Sequence, residues 1–205
     1  MKHTEDVAAV VRYGSSVADD SELRLCQNVT GKRVIELGIG TTSNSIALAT
    51  GGARVMAIDP SAERIAALRR QAEEAEIAVQ THQSEVADLG FLASASVDLV
   101  IASHSLHDAD DLARLLRQIH RVLKPEAAFI IADTHPIAAM LARVGGQQVV
   151  QHAYGSGASR TISDLFMALQ RTNFRIDVIH ELMPLNTRTP MAPAVLVVRA
   201  KKLGV

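Results

Sequence analysis

The stretch KRVIELGIGTTSN, Lys32 to Asn44, is an aliphatic run that breaks at two closely spaced glycines. Lys32–Leu37 reads as a buried parallel strand, because its apolar residues run on instead of alternating with polar ones. Gly38 and Gly40 let the backbone turn sharply and approach a ligand with no Cβ in the way. Ser43–Thr50 has the small and aliphatic content of a helix, stopped by Gly51-Gly52. A strand, a glycine loop and a helix in that order open an α/β fold.

Outward from this unit the period keeps switching. ARVMAID (Ala53–Asp59) is a second strand, and Pro60-Ser61 opens a helix with Ile65, Leu68 and Ala72 on one face. Ile77–His82 and Val97–Ser103 are a third and a fourth strand. Asp110–Leu123 is an amphipathic helix closed by Lys124-Pro125, and Ala127–Asp133 is a fifth strand. A helix over Thr161–Arg171 precedes two strands, Phe174–Met183 and Ala194–Ala200, joined only by a loop and therefore antiparallel. The expectation is a three-layer, Rossmann-like α/β sandwich with a mostly parallel seven-stranded sheet and an antiparallel C-terminal strand. Residues 1–205 form one domain in this reading. Residues 1–30 are a helical segment packed on the sheet, and 134–160 are an insertion or lid with Gly145-Gly146 and Gly155-Ser156-Gly157 as hinges.

Composition excludes several functions. The 205 residues are 48% hydrophobic and 21% charged, with a formal net charge of −1, which argues against a binder that tracks nucleic-acid phosphates. Two Tyr, four Phe and no Trp leave little for stacking on bases. The 31 alanines and the aliphatic residues must supply the core. A single Cys26 rules out a disulfide framework or a cysteine zinc site, and His3, His82, His120 and His180 show no metal-binding cluster. No apolar run reaches the length of about 20 residues that spans a bilayer. The charged N-terminus lacks a signal-peptide core, so the expected location is cytoplasmic and away from membranes.

Chemistry concentrates at the glycine loop. In such folds ligands bind at the carboxyl ends of the strands, beside the first strand. A dinucleotide fingerprint would read G-x-G-x-x-G/A, and Ser43 stands at its last position, so the match is incomplete. Glu36 at the strand end would repel a pyrophosphate and suits a ligand carrying an ammonium group; its plainer role is a solvated strand-end charge. Asp59 closes the second strand and can accept from both ribose hydroxyls of an adenosine; its plainer role is a helix cap.

These residues carry a family resemblance. VIELGIGTTSNSIALATGGARVMAIDPSAERIAALRRQA and VDLVIASHSLHDADDLARLLRQIHRVLKPEAAFIIAD, together spanning roughly residues 31–135, resemble class I S-adenosylmethionine-dependent methyltransferases. The similarity is strongest to the small-molecule branch that includes ubiquinone- and menaquinone-biosynthesis enzymes. It implies S-adenosylmethionine as cofactor and methyl transfer to an O, N or C nucleophile of a small molecule by in-line displacement. It implies that Gly38 and Gly40 hold the methionine part, with Glu36 near its ammonium. Asp59 would bind the ribose, with Pro60 against the adenine. Glu85 would accept from the adenine amino group, Val86 would pack on the ring, and Ser103 would line the methyl-transfer side. Tyr13 would close over the cofactor. The sequence departs from the family at Thr42 and at Glu126-Ala127, where glycines are usual, and Glu85 is longer than the usual Asp.

If the acceptor is a hydroxyl or amine, a base is useful, and histidine suits neutral pH. His104, His107 and His135 all follow strands at the carboxyl edge, with Asp108 and Asp133 nearby to orient one of them; each could equally be an ordinary loop residue. Scarce aromatics argue against a cationic acceptor held in an aromatic cage. Two other readings stay open: a non-catalytic S-adenosylmethionine-binding fold acting as a sensor or assembly partner, and a nicotinamide-dependent oxidoreductase. A homodimer is compatible with either enzyme reading.

Overall fold

The aliphatic runs become strands because they are buried on both faces. The computed structural model describes residues 10–40, 43–106, 111–156 and 160–204. Strands β1 (Arg33–Leu37), β2 (Arg54–Asp59), β3 (Gln80–Gln83), β4 (Val97–Ser103) and β5 (Leu123–Thr134) pair in parallel. Strands β8 (Phe174–Leu182) and β9 (Val195–Lys202) complete the sheet in the order β3-β2-β1-β4-β5-β9-β8. Only β9 runs against its neighbours, pairing antiparallel with β5 and with β8. The chain reverses its direction of travel across the sheet between β1 and β4. Their carboxyl ends therefore frame a crevice.

Helices cover both faces. On one face lie α4 (Leu112–Val122) and α6 (Ile162–Arg171). Leu115, Leu116 and Ile119 of α4 pack with Phe129 and Ile131 of β5 and are fully buried or nearly so. Each such aliphatic side chain contributes about 1.5–3 kcal/mol by leaving water. On the other face lie α2 (Ser45–Thr50), α3 (Ala62–Glu74) and residues 10–30, of which only Asp20–Leu23 is helical (α1). Tyr13, Val17 and Leu25 of that segment pack there against Val34, Ile101 and Ile130.

The expected architecture is present, with local corrections. The described part of the N-terminal segment is mostly an irregular strap of bends and turns, not a helix or two; residues 1–9 lie outside the described residues. The third strand begins later than expected, because Ile77–Val79 lead into it without pairing. The segment after β5 is regular: α5 (Pro136–Met140) is followed by a hairpin, β6 (Leu141–Val144) and β7 (Gln147–Val150). Gly145 and Gly146, with φ of 58° and 83°, are its two-residue turn. Two positive φ values in succession match the twist of a tight hairpin.

Candidate active site

Glu36 organises the glycine loop from below. It ends inside β1 and is 1% exposed. Its carboxylate accepts from Ser43 Oγ at 2.9 Å, Asn44 N at 2.7 Å, Ser45 N at 2.8 Å and also Ser45 Oγ. Burial pushes its pKa up, against the pull of these donors. A carboxylate facing the first N–H groups of α2 complements the positive end of that helix and fixes where it starts.

Asn44 carries the order one step further. Its side chain accepts from Arg12 N at 2.8 Å and donates to Arg12 O at 2.9 Å, so it grips both backbone polar groups of one residue in the strap. Gly38 sits at φ +73°, and a Cβ there would overlap the Ser105 Cβ. Ser105 in turn donates to Leu37 O, tying the loop after β4 to the end of β1. Only glycine meets both demands at position 38.

A cavity of about 970 Å³ opens over this loop, lined by Gly38, Ile39, Gly40, Ser103, His104 and Ser105, by Arg12, Gly14–Val17 and Asp19 of the strap, and by Arg64 of α3. Asp59 lies beneath its edge, fully buried. Its Oδ2 accepts from Ile39 N at 2.6 Å, its Oδ1 from Ser61 N at 2.7 Å, and Arg64 reaches Oδ2 at 3.5 Å.

A second cavity of about 350 Å³ lies between the ends of β4, β5 and β9 and the start of α6. Leu106, Ile131, Pro136, Ala139, Leu165 and Leu196 make its wall mostly aliphatic; Asp133, Thr134, Arg160 and Thr161 add polar groups. His104 borders both cavities. Its Nε2 is 3.0 Å from Tyr13 O, and its Nδ1 is 3.7 Å from Asp133 Oδ1. A carbonyl only accepts, so the contact with Tyr13 O calls for the proton on Nε2, the tautomer that leaves a lone pair on Nδ1.

Gly38, Gly40, Ser103 and His104 meet at the larger cavity, whereas other predicted residues do not line it. The Tyr13 ring is fully buried, donating to Asp20 Oδ1 at 2.6 Å, so its carbonyl rather than its ring faces the site. Burial raises its pKa, which keeps the hydroxyl a donor. His135 is fully buried as the cap of α5: Nδ1 accepts from Ile137 N at 3.1 Å, and Nε2 bonds Glu181 at 2.9 Å. Both ring nitrogens are engaged away from the cavities, which removes it as a base candidate. Val86 belongs to the core with Leu89 and Leu92. Pro60 and Glu85 are exposed beyond the cavity edge. His107, Asp108 and Thr42 lie outside the described residues. Burial pushes the Cys26 thiol up to about 12, consistent with a packing role.

Arg12, Asn44, Arg64, Ser105 and Thr161 are among the site residues the sequence did not flag. Arg64 had a usable signal: it stands one turn into the helix that follows Asp59, where side chains return to the strand end.

Comparisons with known proteins follow the same residues. The family profile described as a methyltransferase domain matches residues 35–131. Over these residues the chain is similar to the methyltransferase-domain family. The chain is 32% identical to a ubiquinone/menaquinone biosynthesis C-methyltransferase from Rubrivivax gelatinosus, over 54% of this chain and 43% of that one. It is 29% identical to a ubiquinone biosynthesis O-methyltransferase from Sodalis glossinidius, over 59% and 49%. The chain thus spans about half the length of the curated relatives it matches. An S-adenosylmethionine-dependent methyltransferase structure from Mesorhizobium loti shares the fold, with a TM-score of 0.73 at 24% identity, covering 88% of this chain and 95% of that one. A ligand without phosphate suits this loop, because the buried Glu36 carboxylate stands behind its glycines. The larger cavity has the volume of a small-molecule site, and the Gly38 backbone forms a cradle that a Cβ would fill.

Proposed function

We propose that this chain methylates a small, weakly polar molecule held in the second cavity, using S-adenosylmethionine held in the first. The observation that carries the reading is the position of His104, which borders both cavities with its Nδ1 3.7 Å from Asp133. The bound cofactor supplies an electrophilic methyl group; the protein's part is to align the nucleophile and exclude water. In this reading Gly38, Gly40 and Ser103 hold the methionine portion. Asp59 takes the ribose hydroxyls once Arg64 swings aside. Glu36 acts indirectly, by fixing the loop. Pro60, Glu85 and Val86 remain the proposed adenine side, reached by closure of the cavity edge.

His104 Nδ1 removes the proton from an acceptor hydroxyl or amine, and the electron pair of that bond becomes the nucleophile. The Asp133 carboxylate stabilises the imidazolium so formed, while Tyr13 O keeps its bond to Nε2–H. The aliphatic wall favours a neutral acceptor, and among the described residues no aromatic ring except His104 lines either cavity. The test has two parts: calorimetric titration with S-adenosylhomocysteine, then transfer of labelled methyl to a panel of phenols, enols and amines. Binding at micromolar levels with transfer to a neutral acceptor supports the reading. Well-folded protein that does not bind overturns it. Binding without transfer to any acceptor would favour a sensor.

A further inference from the structure

We infer that the strap Val11–Val17 is a positioning device for His104, setting which ring nitrogen carries the proton. The inference rests on the proposed role of His104 as base. The Tyr13 carbonyl lies 3.0 Å from Nε2, and a carbonyl can be satisfied only by a proton on that nitrogen. Without the strap the opposite tautomer gains. Asp133 would then draw the proton to Nδ1, where a carboxylate is 3.7 Å away. That ring would offer no lone pair to the acceptor cavity. The strap therefore selects the competent form, and it does so from 91 residues away in the chain.

The strap is held as this role requires. Asn44 grips Arg12 on one side, and the buried Tyr13 hydroxyl is bonded to Asp20 on the other. Ser16 O accepts from Leu185 N at 2.7 Å, closing the far end. His104 itself stands at φ +54°, turned out of the line of β4 toward the strap, with its N–H on Ala132 O at 2.7 Å. The same strap residues line the cofactor cavity, so filling that cavity and readying the base are mechanically linked.

Gly14 supplies the test. A Cβ there would come within 2.9 Å of Val195 Cγ2 and 3.4 Å of His104 Nε2, so Gly14→Ala crowds the strap where it meets the ring. Ring ¹⁵N shifts of His104 in the full chain report the tautomer. The wild type is expected to show the proton on Nε2. Gly14→Ala is expected to shift population toward Nδ1–H and to lower kcat by about tenfold or more, with the acceptor KM little changed. If Gly14→Ala does not fold, Asn44→Ala serves instead: it removes both bonds to Arg12 and leaves the Asn44 N–H bond to Glu36 in place. A wild-type proton on Nδ1, or an unchanged tautomer in a folded variant, overturns the strap's role. Full activity in His104→Gln would instead overturn the base assignment, so the two failures are distinct.

Discussion

The Arg64 guanidinium stands 3.5 Å from the buried Asp59 carboxylate, on the rim of the larger cavity. The cation occupies the approach that ribose hydroxyls would use. Arg64 is half-exposed, so its ion pair is weak and easily displaced. Replacing it by methionine keeps the length and removes the competition. Arg64→Met is expected to tighten binding of S-adenosylhomocysteine by about threefold, a gain of under 1 kcal/mol by titration calorimetry. Asp59→Asn is expected to weaken the same ligand at least tenfold. It also disturbs the bond from Ile39 N and should cost about 1–3 kcal/mol of stability.

Glu126 carries a departure from the family into the backbone. It adopts φ +59°, a left-handed conformation that costs a residue with a Cβ about 1 kcal/mol. Its carboxylate pairs with Arg175 at 3.6 Å, an exposed pair worth little. Glu126→Gly should therefore raise the unfolding free energy by up to about 1 kcal/mol, partly offset by the greater freedom of the unfolded chain. Denaturant melts measure it, and a loss of stability would refute the strain argument.

Most of this architecture was legible in the sequence. Continuous aliphatic runs such as Val97–Ser103 can be buried on both faces only in a parallel sheet, and Ser61 stands where a helix must begin. The β6–β7 hairpin was missed although Gly145-Gly146 is a strong turn signal, because Leu141–Val144 and Gln147–Val150 are short and mostly exposed and lack an alternating pattern. The glycine loop was readable because glycine spacing reflects backbone geometry. The proposed base was not: His104 and His135 look alike in sequence, and only tertiary partners separate them. Nothing local tells that Tyr13 would offer its carbonyl and bury its ring.

Asp98 gives the protein an acid-sensitive increment of stability. Partial burial would raise its pKa, but Lys124 Nζ at 2.6 Å and Arg33 N at 2.9 Å outweigh that and hold it below the ordinary 3.8. A carboxyl depressed on folding stabilises the native state above its unfolded pKa, and that stability is lost as pH falls through the folded value. Both side chains are solvent-accessible, so the increment is about 1 kcal/mol or less. Asp98→Asn should lower stability by that amount at pH 7, and the difference from wild type should shrink toward zero below pH 3.8. Denaturant titrations across pH check it, and a difference that grows on acidification would contradict the assignment.

His135 and His104 should part company under substitution. His135 is sealed in protein, capping α5 through Nδ1 and bonding Glu181 through Nε2. Removing the ring leaves the Ile137 N–H without its cap and opens a space between α5 and β8. A lost cap costs about 1 kcal/mol, and a bond to a charged group about 1.5–3 kcal/mol. His135→Ala is therefore expected to lower stability by roughly 2–4 kcal/mol while leaving kcat within about threefold at temperatures where it is folded. His104→Gln should do the reverse. Glutamine keeps a donor for Tyr13 O and cannot accept a proton, so stability should change by less than about 1 kcal/mol while kcat falls by about a hundredfold, the lower range of general-base contributions. Thermal melts and steady-state rates on the same two samples decide it. A His135→Ala variant as inactive as His104→Gln, yet fully folded, would return His135 to the reaction.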